Sequence, residues 1–347
     1  MKTPALLFSA AALTNIVSRL KQMSEHAGWS WAATLTDMVP LALLQNVIVP
    51  ATVTASCSTI SDAEYLADAG FKKIVLTGRL VDAASLRRLM NIAARTRVVA
   101  VIDHFRHAEL LSHAVLQTGS EVEILVEADL GNQSTGVCPG PDASLLATAA
   151  SRLPGLRVTG VFADAVCGNT PAKPSDRTLD IASILTIAEH CLRSIQHIGP
   201  DCRDVVLAAS ARWNSSLQDS RATCLVASPF VNFGDDACET IDERGHERPS
   251  VCLMATVIAR PSLEWCVIDA GRIAFGESSV LRITAPQGAT VLHSTADSTT
   301  LTLLGESRDL RIGDTVRLVM NAPDQLLVQR RNSVFDDVSA FSDLRSG

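Results

Sequence analysis

The chain is poor in lysine and tyrosine. Its 347 residues include only five lysines, Lys2, Lys21, Lys72, Lys73 and Lys173, and a single tyrosine, Tyr65. Acidic residues outnumber basic ones by 37 to 30, for a formal net charge of −7, and no basic stripe runs along the chain. That balance argues against nucleic acid or an anionic membrane surface as the main partner. No apolar run reaches the ~18 residues of a membrane span. The nine cysteines form no CxxC pair and are irregularly spaced. An odd, scattered set fits neither a disulfide framework nor a zinc ribbon, so reduced thiols in a cytoplasmic protein are expected. No Ser-His-Asp elbow, P-loop or HExxH motif occurs either.

Apolar residues, in contrast, are plentiful at 47%. Over the first ~240 residues, strand-like runs alternate with amphipathic stretches, a pattern that means a parallel sheet with helices on it. The runs are the segment near Trp29–Thr34, "VIVPATV", "KKIVL", "RVVAVID", "VEILVEAD", "RVTGVFAD", "DVVLAAS" and "CLVASPFVNFG". Eight such units favour a closed (β/α)8 barrel over an open sheet. After Gly234 the texture changes to short strands separated by Gly, Pro, Asp and Ser, which predicts an antiparallel β domain. The expected fold is therefore α/β: a barrel over 9–238, and a β domain over 239–347 joined by an N-terminal strand from 1–8. Residues 1–13 also have the texture of a short secretory leader. The expectation preferred here is a strand, Pro4–Phe8, then a helix from Ala10 to Met23 capped by Ser9.

In such a barrel, chemistry gathers at the C-terminal ends of the strands. The groups expected there are Asp103 and His104, Glu127 and Asp129, Asp164, and Asp235 and Asp236. A histidine among carboxylates suits general-base work, and several carboxylates suit a cation. The alternative is that Asp103 and Asp129 cap the following segments and His104 is merely solvated.

Several strings, in order, resemble one family. "TPALLFSAAALTNI" is similar to the opening of the fold-type III pyridoxal-phosphate enzymes of the D-threonine aldolase and D-serine dehydratase group. "SDAEYLADAGFKKIVL" and "VEADLGNQSTGV" resemble internal segments of their alanine racemase-like barrel. "VIDAGRIAFG" and "LRIGDTVRLVMN" resemble the C-terminal β domain.

The resemblance implies a lyase with a Schiff-base lysine, a phosphate cradle, a ring contact and a divalent metal. Residue by residue, most of these are substituted. The lysine position is Thr36, and the preceding histidine position is Thr34. The cation expected near the ring is Ser134, and the aromatic ring contact is Asp164. The phosphate loop, with Ser210 and Arg212, has no glycine, and its partner element reads Ser228-Pro229-Phe230. Proline has no N–H to give a phosphate. The metal pair has kept Asp324, but its histidine position is Ala322.

The expectation is a divergent member that uses neither the cofactor nor the metal: a pseudoenzyme or partner subunit with a small-molecule pocket. It would form a homodimer, or a heterodimer with an active paralogue. Two alternatives stand beside it. One is a repurposed barrel enzyme acting on an amino-acid-like substrate through His104 and the mouth carboxylates. The other is a genuine cofactor-dependent aldolase or dehydratase using an unrecognised lysine.

Overall fold

The computed structural model describes residues 3–131, 135–164, 181–208, 222–230, 240–241, 247–276, 281–320 and 334–336. Two units account for them, one of residues 18–37 and 44–229, the other of residues 1–17, 38–43 and 230–347.

The chain begins with β1 (Ala5–Phe8) and α1 (Ala10–Ala27). Ser9 caps α1, its hydroxyl accepting the Ala12 N–H at 3.3 Å. Eight parallel strands then close into a barrel: β2 (Ser30–Thr34), β3 (Thr54–Cys57), β4 (Lys73–Leu76), β5 (Arg97–Ile102), β6 (Val122–Glu127), β7 (Leu156–Asp164), β8 (Asp204–Ala208) and β9 (Cys224–Ala227), with β9 pairing back on β2. The helices between them include α2 (Leu41–Leu43), α3 (Ile60–Ala69), α4 (Ala83–Ala93), α5 (Phe105–Thr118), α6 (Pro141–Ser151) and α7 (Ile181–Ile198). Among the described residues, no helix is long and apolar enough to cross a membrane.

One strand is displaced from its expected place. "VIVPATV" is not the second barrel strand. Leu44–Ile48 forms a π-helical turn, closed by the Val49 N–H donating to the Leu44 carbonyl at 2.8 Å, and the strand comes later, at Thr54–Cys57. Val47 and Ile48 are buried as helix residues. Burial needs only that they be apolar, so β propensity yields to tertiary packing.

Side chains alternate across each strand, so every second residue lines the barrel interior. Ala32, Val75, Val99, Val101, Leu125, Phe162, Val206 and Val226 fill its middle as one apolar cluster. At the N-terminal end, buried Glu123 receives the guanidinium groups of Arg97 and Arg157.

The second unit contains the predicted antiparallel sheet. Its strands are β12 (Val251–Ala259), β13 (Trp265–Ile268), β14 (Leu281–Ala285), β15 (Ala289–Ser294), β16 (Thr299–Leu303) and β17 (Thr315–Met320), in the order β14-β17-β12-β13-β16-β15. Before it come the short pair β10 (Thr240–Ile241) and β11 (Glu247–Arg248). Within it lies the short helix α8 (Arg272–Phe275), and after it β18 (Val334–Asp336). β1 pairs antiparallel with β12 on one side and parallel with β18 on the other.

Candidate active site at the barrel mouth

Because the apolar cluster fixes which face of each strand is interior, it also fixes what lies above it. Two residues beyond Ala32, Leu125 and Phe162 come Thr34, Glu127 and Asp164 on the same faces. Two residues beyond Val101 comes Asp103. The mouth is therefore lined by hydroxyls and carboxylates.

Three neighbouring strands join there through one guanidinium. Arg79 follows β4, Asp103 follows β5 and Glu127 ends β6. The Arg79 Nη2 lies 3.2 Å from Asp103 Oδ2 and also pairs with Glu127 Oε2. Its Nη1 donates to the Thr77 carbonyl. The segment after β6 closes over the same acids. The Gly136 N–H donates to Asp103 Oδ2 at 3.2 Å, and the Thr135 hydroxyl donates to Glu127 Oε1 at 2.8 Å. Gly136 is required here: its φ is +102°, and a Cβ would sit 2.6 Å from the Asp129 nitrogen.

The remaining oxygen of Asp103 faces a histidine. His107 Nδ1, in the first turn of α5, is 3.0 Å from Asp103 Oδ1. Burial acts to raise the Asp103 carboxyl, but the Gly136 N–H and the Arg79 charge outweigh it and hold Asp103 below the usual carboxylate value. Burial lowers His107; Arg79 and His104 push the same way, and Asp103 does not offset them. His107 is therefore a neutral imidazole beside an ionised carboxylate at neutral pH.

The expected site residues distribute unevenly over this arrangement. His104 is exposed and is the N-cap of α5, its Nδ1 accepting the Arg106 N–H at 3.0 Å. It is His107, not His104, that meets Asp103. Asp129 closes a local turn by accepting the Gly131 N–H at 2.8 Å. Thr34 and Asp164 are half-buried at their strand ends, and Thr36 is half-buried two residues beyond β2. Phe230 is fully buried, with its ring edge-on to Phe8 at 5.6 Å. Ser134, Ser210, Arg212, Asp235, Asp236, Ala322 and Asp324 lie outside the described residues, as does Lys173. Among the described residues, no group of three or more His, Cys, Asp or Glu is placed to hold a metal ion.

Arg79, His107 and Thr135 were missed as site residues. The spacing of Asp103 and His107, four apart across a helix start, was the one available signal.

Comparison with known proteins agrees with this fold. The family model for the alanine racemase N-terminal domain matches residues 38–215. The chain belongs to this family. Among curated proteins, it is similar to D-threonine aldolase of Arthrobacter sp., 23% identical over 62% of this chain and 57% of that one. It is also similar to 3-hydroxy-D-aspartate aldolase of Paracoccus denitrificans, 26% identical over 47% of this chain. The chain thus spans 57% and 43% of these two relatives' lengths. Among solved structures, D-threonine aldolase from Filomicrobium marinum has a TM-score of 0.83 at 20% identity, covering 98% of this chain and 93% of its own. D-threo-3-hydroxyaspartate dehydratase from Delftia sp. HT23 has a TM-score of 0.72 at 16% identity, covering 97% and 95%. These likenesses establish the two-part, fold-type III architecture of D-threonine aldolase-like proteins.

Proposed function

We propose that this family member keeps a small-molecule site at its barrel mouth but does not hold pyridoxal phosphate through an imine. The supporting observation is the donor set at the described strand ends: Thr34, Arg79, Asp103, Glu127 and Asp164, with no amine among them. Lys72 and Lys73 stand at the opposite, N-terminal end of β4, and Lys21 lies on α1. When bound in a family member, the cofactor acts as an electron sink for carbanions. An imine needs a primary amine within reach, and hydroxyls or a guanidinium cannot replace it. The carboxylates on the rim also make a poor phosphate site.

On this reading the protein is a D-threonine aldolase-like pseudoenzyme or partner subunit in the cytoplasm, binding an amino-acid-like molecule. It pairs with itself or with an active paralogue. Purified protein mixed with pyridoxal phosphate, then reduced with borohydride, is expected to show no stable imine absorbance and no cofactor-bearing peptide. Reduced cofactor on a lysine peptide, such as that of Lys72 or Lys173, would overturn the reading. Light scattering of the pure chain, alone and with a co-expressed paralogue, checks the assembly.

A further inference from the structure

The two oxygens of Asp103 are divided between different neighbours. Oδ2 takes Arg79 and the Gly136 N–H, and Oδ1 is left to His107. On His107, Nδ1 is buried against that oxygen. The pair is a close polar contact rather than a well-aligned hydrogen bond. Nε2 takes no partner among the described residues and is not among the buried unpaired atoms. The ring is about one-fifth exposed, which leaves Nε2 reachable from outside. His104, its ring 6.1 Å away, has its own Nδ1 occupied by the Arg106 N–H.

We propose that His107 and Asp103 form a proton-transfer pair at the barrel rim, with Nε2 of His107 accepting a proton held on oxygen or nitrogen of a small polar molecule. The step balances without any further reagent. The O–H or N–H bond of the molecule breaks, its electron pair stays behind, and a new N–H bond forms at Nε2. The imidazolium charge then faces the Asp103 carboxylate. Return of the proton to the molecule or to water restores the pair. Asp103 is a positioning residue, and Arg79 and Gly136 position Asp103. The charged or titratable groups facing His107 are Asp103, Arg79 and His104, with Glu127 bound to the far side of Arg79.

This proposal shares the barrel mouth with the reading above but not its chemistry, so the two can fail separately. The test is nitrogen NMR of protein labelled with 15N-histidine, with His107→Gln used for assignment. Neutral His107 is expected to carry its proton on Nδ1, leaving Nε2 bare. Its titration midpoint should lie below the ordinary histidine value and fall further in Asp103→Asn, which removes the carboxylate that favours the charged ring. Diethyl pyrocarbonate should acylate the His107 peptide, with a pH profile that follows the same midpoint. A neutral ring protonated on Nε2, or a His107 peptide that stays unmodified while exposed histidines react, would overturn the proposal. Both readouts come from the unaltered protein, so a misfolded Asp103→Asn variant does not shield it.

Discussion

Arg79 compensates two carboxylates with one charge. Glu127 is almost fully buried, and a buried carboxylate without its partner is costly. Arg79→Met should destabilise the protein by about 3–5 kcal/mol, read as a lower urea midpoint at unchanged slope. Arg79→Lys should recover only part of this, because an ammonium lacks the planar fork that reaches both acids. The same residues set an acid limit. His107 is held below its ordinary value, so the folded state resists its protonation, and that cost grows as pH falls below about 6.5. Asp103 is also held low, so the stability it contributes is lost as pH falls below about 4 through its folded-state value. Both contributions have the same sign. The thermal midpoint should therefore drop in two stages on acidification, and His107→Gln should remove the upper one.

At the scale of elements, β6 shows how a barrel strand can be apolar at its centre and charged at both ends. Leu125 sits in the closed interior, whereas Glu123 and Glu127 terminate it below and above. Leu125→Ala leaves a void that close-packed neighbours cannot fill and should cost about 2–5 kcal/mol. Glu123→Ala should cost less, about 1.5–3 kcal/mol, because Arg97 and Arg157 are half exposed and regain water. Denaturant titration of the two variants ranks them. β3 explains why one element was not legible. Thr54-Ala55-Ser56-Cys57 has neither bulk nor alternation to mark a strand, while the β-branched Val47–Val49 run beside it imitates one. Strands such as Arg97–Ile102, Val122–Glu127 and Asp204–Ala208 are rich in β-branched residues buried on both faces, and those were readable.

For the whole molecule, architecture could be read from the order of runs, but the site only in part. Asp103, Glu127 and Asp164 were recognisable because strand ends at one rim converge by rule. Arg79 was not, because "LTGRL" looks like an ordinary turn; only barrel closure places it beside residues 24 and 48 positions further on. His107 was overlooked because helix capping draws attention to His104. The sheet outside the barrel makes its own prediction. Removing residues 1–8 would strip β1 from between β12 and β18, exposing an edge of β12. The truncated chain should aggregate, seen as material in the void volume on gel filtration, while the full chain elutes as a defined species.

The position of β1 also imposes an order in time. β1 is made before any barrel strand, but β12 is complete only after the last barrel strand has been synthesised, and β18 later still. Residues 18–229 contain every barrel strand and can close on one another as they emerge, N-terminal units first. β1 must meanwhile wait, an apolar Ala-Leu-Leu-Phe segment without a sheet, until the final third of the chain arrives to receive it. Its exposure lasts as long as translation of the barrel, so β1 meets its sheet partners only after the whole barrel between them has been made.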